Sequence, residues 1–511
     1  MLLLYEIIDQ AVKQTPDKKA VICGEKSYTY AQLSEKMDLW AKTLISLGIT
    51  RGDRVALFMK NSVELVGLYF ACFRIGAIAV PLNTRYQTPE AVYGIEQSGS
   101  RILITSSELF PVVENLDSTV ASLEHIYIMD GDSNHASLSW NKMLTDTANN
   151  RVIFPDLSIT DPALIIYTSG STGEPKGVVH THETLYHLIE YRSAYHDTIP
   201  SDSVLIATQI CHMAGFTMAL FFLKNSATVV MVEEFEPGAY IKLLNQYKPI
   251  LTGLLPTQFL EVLECPGAEQ ADFSPVKYAL SAGDKVSHHL YELFRILAGH
   301  DIMEAYGLTE AEGCFMQPKE GKIKPGTIGK PIWGTQARLI DKDGRDVPRG
   351  KTGEIFLKGK LITIGYWNKP EENKKAFENG WFHTGDLAYE DEEGYYHFVG
   401  RIKELIIRGG SNIMPGEVED VLEDHPKVES CGIVGFPDKH YGSIVGAFVV
   451  PRQGVPAPTA DELRDFVSQR LSHYKVPQKW IFVDSLPKNP VGKIDRKKLH
   501  SMAEQYIASG F

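Results

Sequence analysis

The run Tyr167-Thr168-Ser169-Gly170-Ser171-Thr172-Gly173-Glu174-Pro175-Lys176-Gly177-Val178 packs hydroxyl side chains, three glycines and one lysine into a single loop. Hydroxyls can donate to phosphate oxygens, glycines let backbone N–H groups approach an anion, and a lysine supplies the counter-charge, so the loop suits a polyphosphate. It is not the phosphate loop of the common nucleotide triphosphatases, which requires Gly-Lys followed by Ser or Thr, because Pro175 precedes Lys176 and Gly177 follows it. By composition alone a flexible solvent loop is an equal alternative. Ala163-Leu164-Ile165-Ile166 reads as a buried strand before it. Leu185, Leu188 and Ile189 mark a helix over His182 to Tyr195 after it, so the loop is expected to join a strand to a helix.

Further polar residues occur downstream. Thr309 and Glu310 place a hydroxyl beside a carboxylate, Asp386 follows Thr384-Gly385, and Lys493 lies in the Pro/Gly-rich stretch Leu486-Pro487-Lys488-Asn489-Pro490-Val491-Gly492. Taken bare, these are a helix cap, an Asx turn and a solvent lysine.

As an ordered series they resemble the adenylate-forming superfamily, which includes acyl-CoA synthetases, peptide-synthetase adenylation domains and firefly luciferase. The series is the 167–178 loop, Tyr306-Gly307-Leu308-Thr309-Glu310, Gly353-Glu354 with Gly365-Tyr366-Trp367, Thr384-Gly385-Asp386, Gly400-Arg401-Ile402-Lys403, Gly409-Gly410-Ser411-Asn412-Ile413 and Pro490-Val491-Gly492-Lys493-Ile494. The resemblance implies a site for ATP or AMP from Thr168, Ser169, Gly170, Ser171, Thr172, Gly173, Lys176, Gly283, Glu304, Ala305, Tyr306, Gly307, Thr309, Asp386, Phe398, Arg401 and Lys493. Within that set it implies catalysis by Lys493, Thr309, Glu310 and Lys176, with Glu310 as a Mg²⁺ ligand, and ribose contacts from Asp386 and Arg401. The acyl pocket would be lined by His212, Met213, Gly215, Ala282, Gly283, Gly307 and Leu308. Lys403 would be a hinge, and Gly409 and Gly410 would shape a coenzyme A tunnel.

The implied reaction is ATP-dependent ligation of a fatty or related apolar acid to coenzyme A through an acyl-AMP. A separate acyl carrier protein is the alternative acceptor, and a homodimer is left open. Relatives that activate amino acids carry an Asp near the His212 segment. No carboxylate occurs between Ile206 and Val232, which disfavours an α-amino acid.

The elements that must position these residues read as alternating strands and helices. Leu33, Met37, Trp40, Ala41, Leu44 and Leu47 form one helical face before Gly48. Strand-like Asp53 to Phe58, helical Val63 to Arg74 and strand-like Ile78 to Pro81 follow, which implies a parallel sheet covered by helices. Short strands and tight turns from Gly326 onward indicate a small β-rich subdomain. The expected fold is therefore α/β: a large N-terminal domain over residues 1–400 and a smaller mobile α+β lid over 401–511. In the lid a helix is expected from Ala460 to about His473, and Arg496, Lys497 and Lys498 read as a solvated helix face.

With 511 residues, more than one domain is required. A net charge of -13 disfavours a nucleic-acid partner. Cys23, Cys72, Cys211, Cys265, Cys314 and Cys431 show no ligand spacing and read as buried thiols. The most apolar stretch, Val66 to Leu82, is interrupted by Arg74 and Pro81, so no integral membrane segment is expected and the chain reads as cytoplasmic.

Overall fold

The computed structural model describes residues 1–130, 139–147, 150–168, 174–283, 286–408, 411–489 and 493–508. Among them, strands form four sheets. Strands Arg54–Phe58, Ile78–Pro81, Ile102–Thr105, His125–Ile128 and Pro162–Thr168 pair in parallel, and Lys176–Thr181 and Gly365–Tyr366 close one edge antiparallel. A larger sheet runs parallel through Ser203–Ile206, Thr228–Met231, Leu251–Leu254, Tyr278–Ala282 and Met303–Leu308, with antiparallel edges.

Both sheets contribute to one core. Val55, Leu57 and Ile104 of the first and Val21, Val204 and Val229 of the second belong to the same buried cluster. Helices Val63–Ile75 and Met213–Lys224, apolar nearly all round, belong to it as well. A helix hydrophobic on every face has no solvent side and must lie inside.

A five-stranded sheet spans Thr335–Ile340 to Tyr396–Arg401, as the turn-rich composition predicts. The last sheet is built on the long hairpin Val428–Asp438 and Gly442–Pro451. It has its own buried cluster, from Ile406, Ile413, Val418, Ile433, Val445 and Val467.

Three expectations need correction. The helix from Ala460 ends at Ser468, and a 3-10 turn at His473–Lys475 takes over ahead of Pro477. The phosphate loop joins two strands, since Thr168 and Lys176 are register partners in an antiparallel pair. The β-branched run after Lys176 continues the sheet. The helix His182–His196 starts only where the Thr181 hydroxyl accepts from Thr184 N–H. Finally, Arg496 is not on a solvated face, although Lys497 and Lys498 are exposed. Its guanidinium donates to both Glu419 carboxylate oxygens at 2.9 and 2.8 Å and to Ile433 O at 3.1 Å, and it lies 3.3 Å from Glu404.

All six cysteines are free thiols and five are buried. Among the described residues, no helix is long and apolar enough to cross a membrane.

Candidate active site

The parallel pairing of strands Tyr278–Ala282 and Met303–Leu308 runs out at Ala282 and Ala305, which are register partners. Ligands of open α/β sheets collect beyond such carboxyl ends. Gly283 follows with φ +92°, where a side chain would be strained, and a Cβ there would lie 3.1 Å from Lys493 Cε and 3.3 Å from its Nζ. A lysine near the end of the chain is therefore seated on the rim of the N-terminal sheet. Lys493 and Asn489 bond each other twice: Lys493 N–H donates to Asn489 Oδ1 at 3.0 Å, and Asn489 N–H donates to Lys493 O at 2.7 Å.

Thr309 and Glu310 form the turn between strands Met303–Leu308 and Ala311–Met316, with Leu308 opposite Ala311. No helix begins there, so the capping alternative for Glu310 falls. The Glu310 carboxylate is buried and accepts from Tyr366 Oη at 2.8 Å. Burial pushes its carboxyl up, opposed by the Tyr366 bond and Arg401 and reinforced by nearby Asp386. Lys176 Nζ lies 4.7 Å from the centre of the Tyr366 ring, so one tyrosine touches the phosphate-loop lysine and the carboxylate together.

Across the site, Asp386 and Arg401 are cross-strand partners, with Arg401 Nε 3.1 Å from Asp386 Oδ1. Tyr306 Oη donates to Asp386 Oδ2 at 2.7 Å, and half-exposed Phe398 flanks the Tyr306 ring at 6.1 Å. Burial raises the Asp386 carboxyl, while Arg401, Tyr306 and, more weakly, Lys403 and Lys493 pull it down. Lys493 is thus close enough to act electrostatically on the aspartate opposite.

On the other side, His212 stands just ahead of helix Met213–Lys224. Desolvation, then Arg85 and Lys493, push its pKa down to about 4, which keeps it neutral. Close approach of backbone explains the glycines here: a Cβ on Gly215 would meet Gln209 O at 2.8 Å, and one on Gly307 would meet Gly313 N at 2.2 Å. Met213 is buried, whereas Ala282 and Leu308 are partly exposed.

The structure thus brings together Lys493, Gly283, Thr309, Glu310, Tyr306, Asp386, Arg401 and Lys176, with Thr168 opposite Lys176. Ser169, Gly170, Ser171, Thr172, Gly173, Gly409 and Gly410 lie outside the described residues. Glu304 is placed differently from expectation. Its carboxylate is buried and accepts from Tyr291 Oη and, at 2.7 Å, from Gly326 N–H, so its side chain holds the chain around Gly326. Lys403 lies in the 3-10 turn Ile402–Glu404 directly after Arg401.

Sequence reasoning gave Tyr366 no role of its own and read Arg496 only as part of a solvated face. Tyr366 sat within a quoted motif, but no spacing shows that its hydroxyl meets Glu310.

Comparison with known proteins places the chain in a family. Residues 8–367 match the AMP-binding enzyme family, and residues 417–493 match the AMP-binding enzyme C-terminal domain. The chain belongs to the AMP-binding enzyme family. It is 31% identical over 483 residues to a long-chain-fatty-acid–CoA ligase of Mycobacterium tuberculosis, covering 94% of this chain and 93% of the relative. It is 34% identical over 487 residues to a feruloyl-CoA synthase of Amycolatopsis sp, covering 94% and 95%. Among solved structures, the anthranilate CoA ligase AuaEII in complex with anthranoyl-AMP superposes with a TM-score of 0.91 at 27% identity, covering 99% of this chain and 98% of that one. Lys493, beside Gly283, lies within electrostatic reach of both Asp386 and His212.

Proposed function

We propose that the protein is an ATP-dependent acid–coenzyme A ligase acting on an apolar carboxylic acid, in the first instance a fatty acid. The observation that carries this reading is Lys493, delivered from the chain's last segment onto Gly283 and within electrostatic reach of both Asp386 and His212. That position suits the α-phosphate and the attacking carboxylate together.

A carboxylate is a poor acyl donor because its leaving group would be oxide. In the proposed first step a carboxylate oxygen attacks the α-phosphorus and pyrophosphate departs, which leaves an acyl-AMP. Lys493 and the Thr309 hydroxyl meet the charge on the α-phosphate, and Thr168 and Lys176 meet the departing phosphates. No general base is required, because the acid is already ionised at neutral pH. Asp386 and Arg401 take the ribose, with Phe398 and Tyr306 alongside.

Glu310 would hold Mg²⁺, which neutralises the triphosphate. The donor set fits that metal: one buried carboxylate whose ionised form needs a cation. No cluster of three or more His, Cys, Asp or Glu side chains forms a cage among the described residues. Mg²⁺ characteristically takes one or two carboxylates and completes its shell with phosphate and water.

In the second step the coenzyme A thiolate attacks the acyl carbonyl and AMP leaves. The thiol must reach the same carbonyl from another direction, which in this reading requires Lys493 to withdraw from Gly283. We therefore assign residues 1–400 to an adenylation domain and 401–511 to a lid that turns at Lys403, with Gly409 and Gly410 lining the thiol's path. The separate core of the last sheet supports this division.

Neutral His212 and the close-packed glycines support an apolar acid. Two of the relatives are named for an aliphatic and an aromatic acid, so the choice is tested with both. Pyrophosphate and thioester are measured over fatty, aryl and dicarboxylic acids, with coenzyme A present and absent. Pyrophosphate without acyl-CoA would move the acceptor to a carrier protein, and neither product with any acid would end the reading.

A further inference from the structure

His180 is fully buried in strand Lys176–Thr181, away from any surface, and its ring bonds a residue of the catalytic turn. Its Nε2 lies 2.8 Å from the backbone oxygen of Thr309. A carbonyl oxygen can only accept, so Nε2 carries the proton and Nδ1 is the acceptor. Thr184 Oγ1 stands 3.2 Å from that Nδ1 and accepts from Thr181 N–H at 3.0 Å, and its single proton has both Nδ1 and Thr181 O, at 3.1 Å, within reach. The next carbonyl of the turn, Glu310 O, accepts from Thr363 N–H at 2.8 Å. Both carbonyls of the Thr309–Glu310 turn are therefore held by hydrogen bonds. The strand that holds Thr309 is the one Lys176 begins, so this bond ties the phosphate loop to the proposed metal turn.

We propose that His180 is a positioning residue for adenylation: its Nε2–H sets the Thr309 carbonyl and thereby aims the Thr309 hydroxyl and Glu310 carboxylate at one phosphate. The assignment rests on the ligase reading above, and it adds a residue that touches neither nucleotide nor acid. Supporting partners of metal-site ligands, when removed, characteristically cost about 10–100-fold in affinity or activity.

The first measurement uses nucleotide-free protein. A ¹⁵N-histidine spectrum, with His180 assigned by difference against His180→Gln, should show one ring locked with Nε2 protonated and Nδ1 bare. The second compares half-reactions. His180→Leu, which leaves the Thr309 carbonyl buried without a donor, should slow pyrophosphate release or raise the ATP KM by about tenfold or more. Thioester formation from supplied acyl-AMP should stay at the parent rate. His180→Gln, whose amide N–H can reach the same carbonyl, should recover most of the loss. A ring protonated on Nδ1, equal losses in both half-reactions, or a leucine variant indistinguishable from the parent would overturn the assignment. Should the leucine variant not fold, the glutamine variant decides: near-parent adenylation supports it, and a matching loss in both steps overturns it. A parent enzyme that releases no pyrophosphate with any acid is a separate result, which removes the ligase reading and this assignment with it.

Discussion

The two ends of the site are built on opposite principles. At the nucleotide end nearly every polar group is already held by another: Asp386 by Tyr306 and Arg401, Glu310 by Tyr366, and the Thr309 carbonyl by His180. At the end proposed for the acid the residues assigned are small or apolar apart from His212, whose ring is kept neutral. Preorganised polar groups suit a ligand that never changes, because donors set before binding cost no reorganisation during the reaction. A wall of small residues suits a ligand that varies between relatives, because volume there can be exchanged without touching a hydrogen bond.

The contrast can be broken by experiment. Lys493→Ala removes the cation between the two ends. Adenylation should fall by about a thousandfold, the upper range for one preorganised donor, with thioester formation from supplied acyl-AMP intact; rapid-quench assay of each half-reaction reads this. Equal loss in both steps would mean that the lysine serves one fixed geometry. Glu310→Gln keeps the shape of the turn and removes the charge, and pyrophosphate release should fall by about a hundredfold. More Mg²⁺ should restore part of it.

Tyr306→Phe leaves Asp386 with one partner fewer. The ATP KM should rise by about tenfold, in line with the loss of one hydrogen bond to a charged group, while the acid KM stays put. A change in the acid KM instead would erase the boundary between the two ends.

His212 gives a pH test of the acid end. Its folded pKa is depressed to about 4 against an ordinary 6.5. The unfolded chain therefore binds the extra proton first as pH falls, and the stability held above pH 6.5 is lost progressively toward pH 4. Thermal melts of the parent and His212→Leu should diverge across that window, the variant losing roughly 1–2 kcal/mol less by pH 5 once partial exposure is allowed for. The ATP KM of the variant should not move. Parallel melting curves would show that the folded protein does not depress the pKa of this ring.

Much of this was legible before any coordinates. Alternation of apolar segments with turns located the strands at Arg54–Phe58 and Ile78–Pro81 and the helix at Val63–Ile75 within a residue or so, because burial on one face imposes its period on the chain. The element following the phosphate loop was misread. Val178 and Val179 favour a strand, but the partner that makes them one, Pro162–Thr168, lies across an intervening loop whose length carries no pairing signal. The Arg496 cluster was misread for a similar reason. Its partners Glu404 and Glu419 lie 92 and 77 residues earlier, and nothing local marks a guanidinium that will be bidentate.

What the sequence by itself determined was the chemistry on offer: which hydroxyls, carboxylates and lysines exist, in what order, and on which kind of element each sits. The tertiary structure alone decided which of them meet. Lys493 reaches Gly283, Tyr366 reaches Glu310 and His180 reaches Thr309 across separations of 210, 56 and 129 residues. Such encounters are set by how sheets and their covering helices bury a shared core. That packing is a property of the whole chain, and no short stretch of residues contains it.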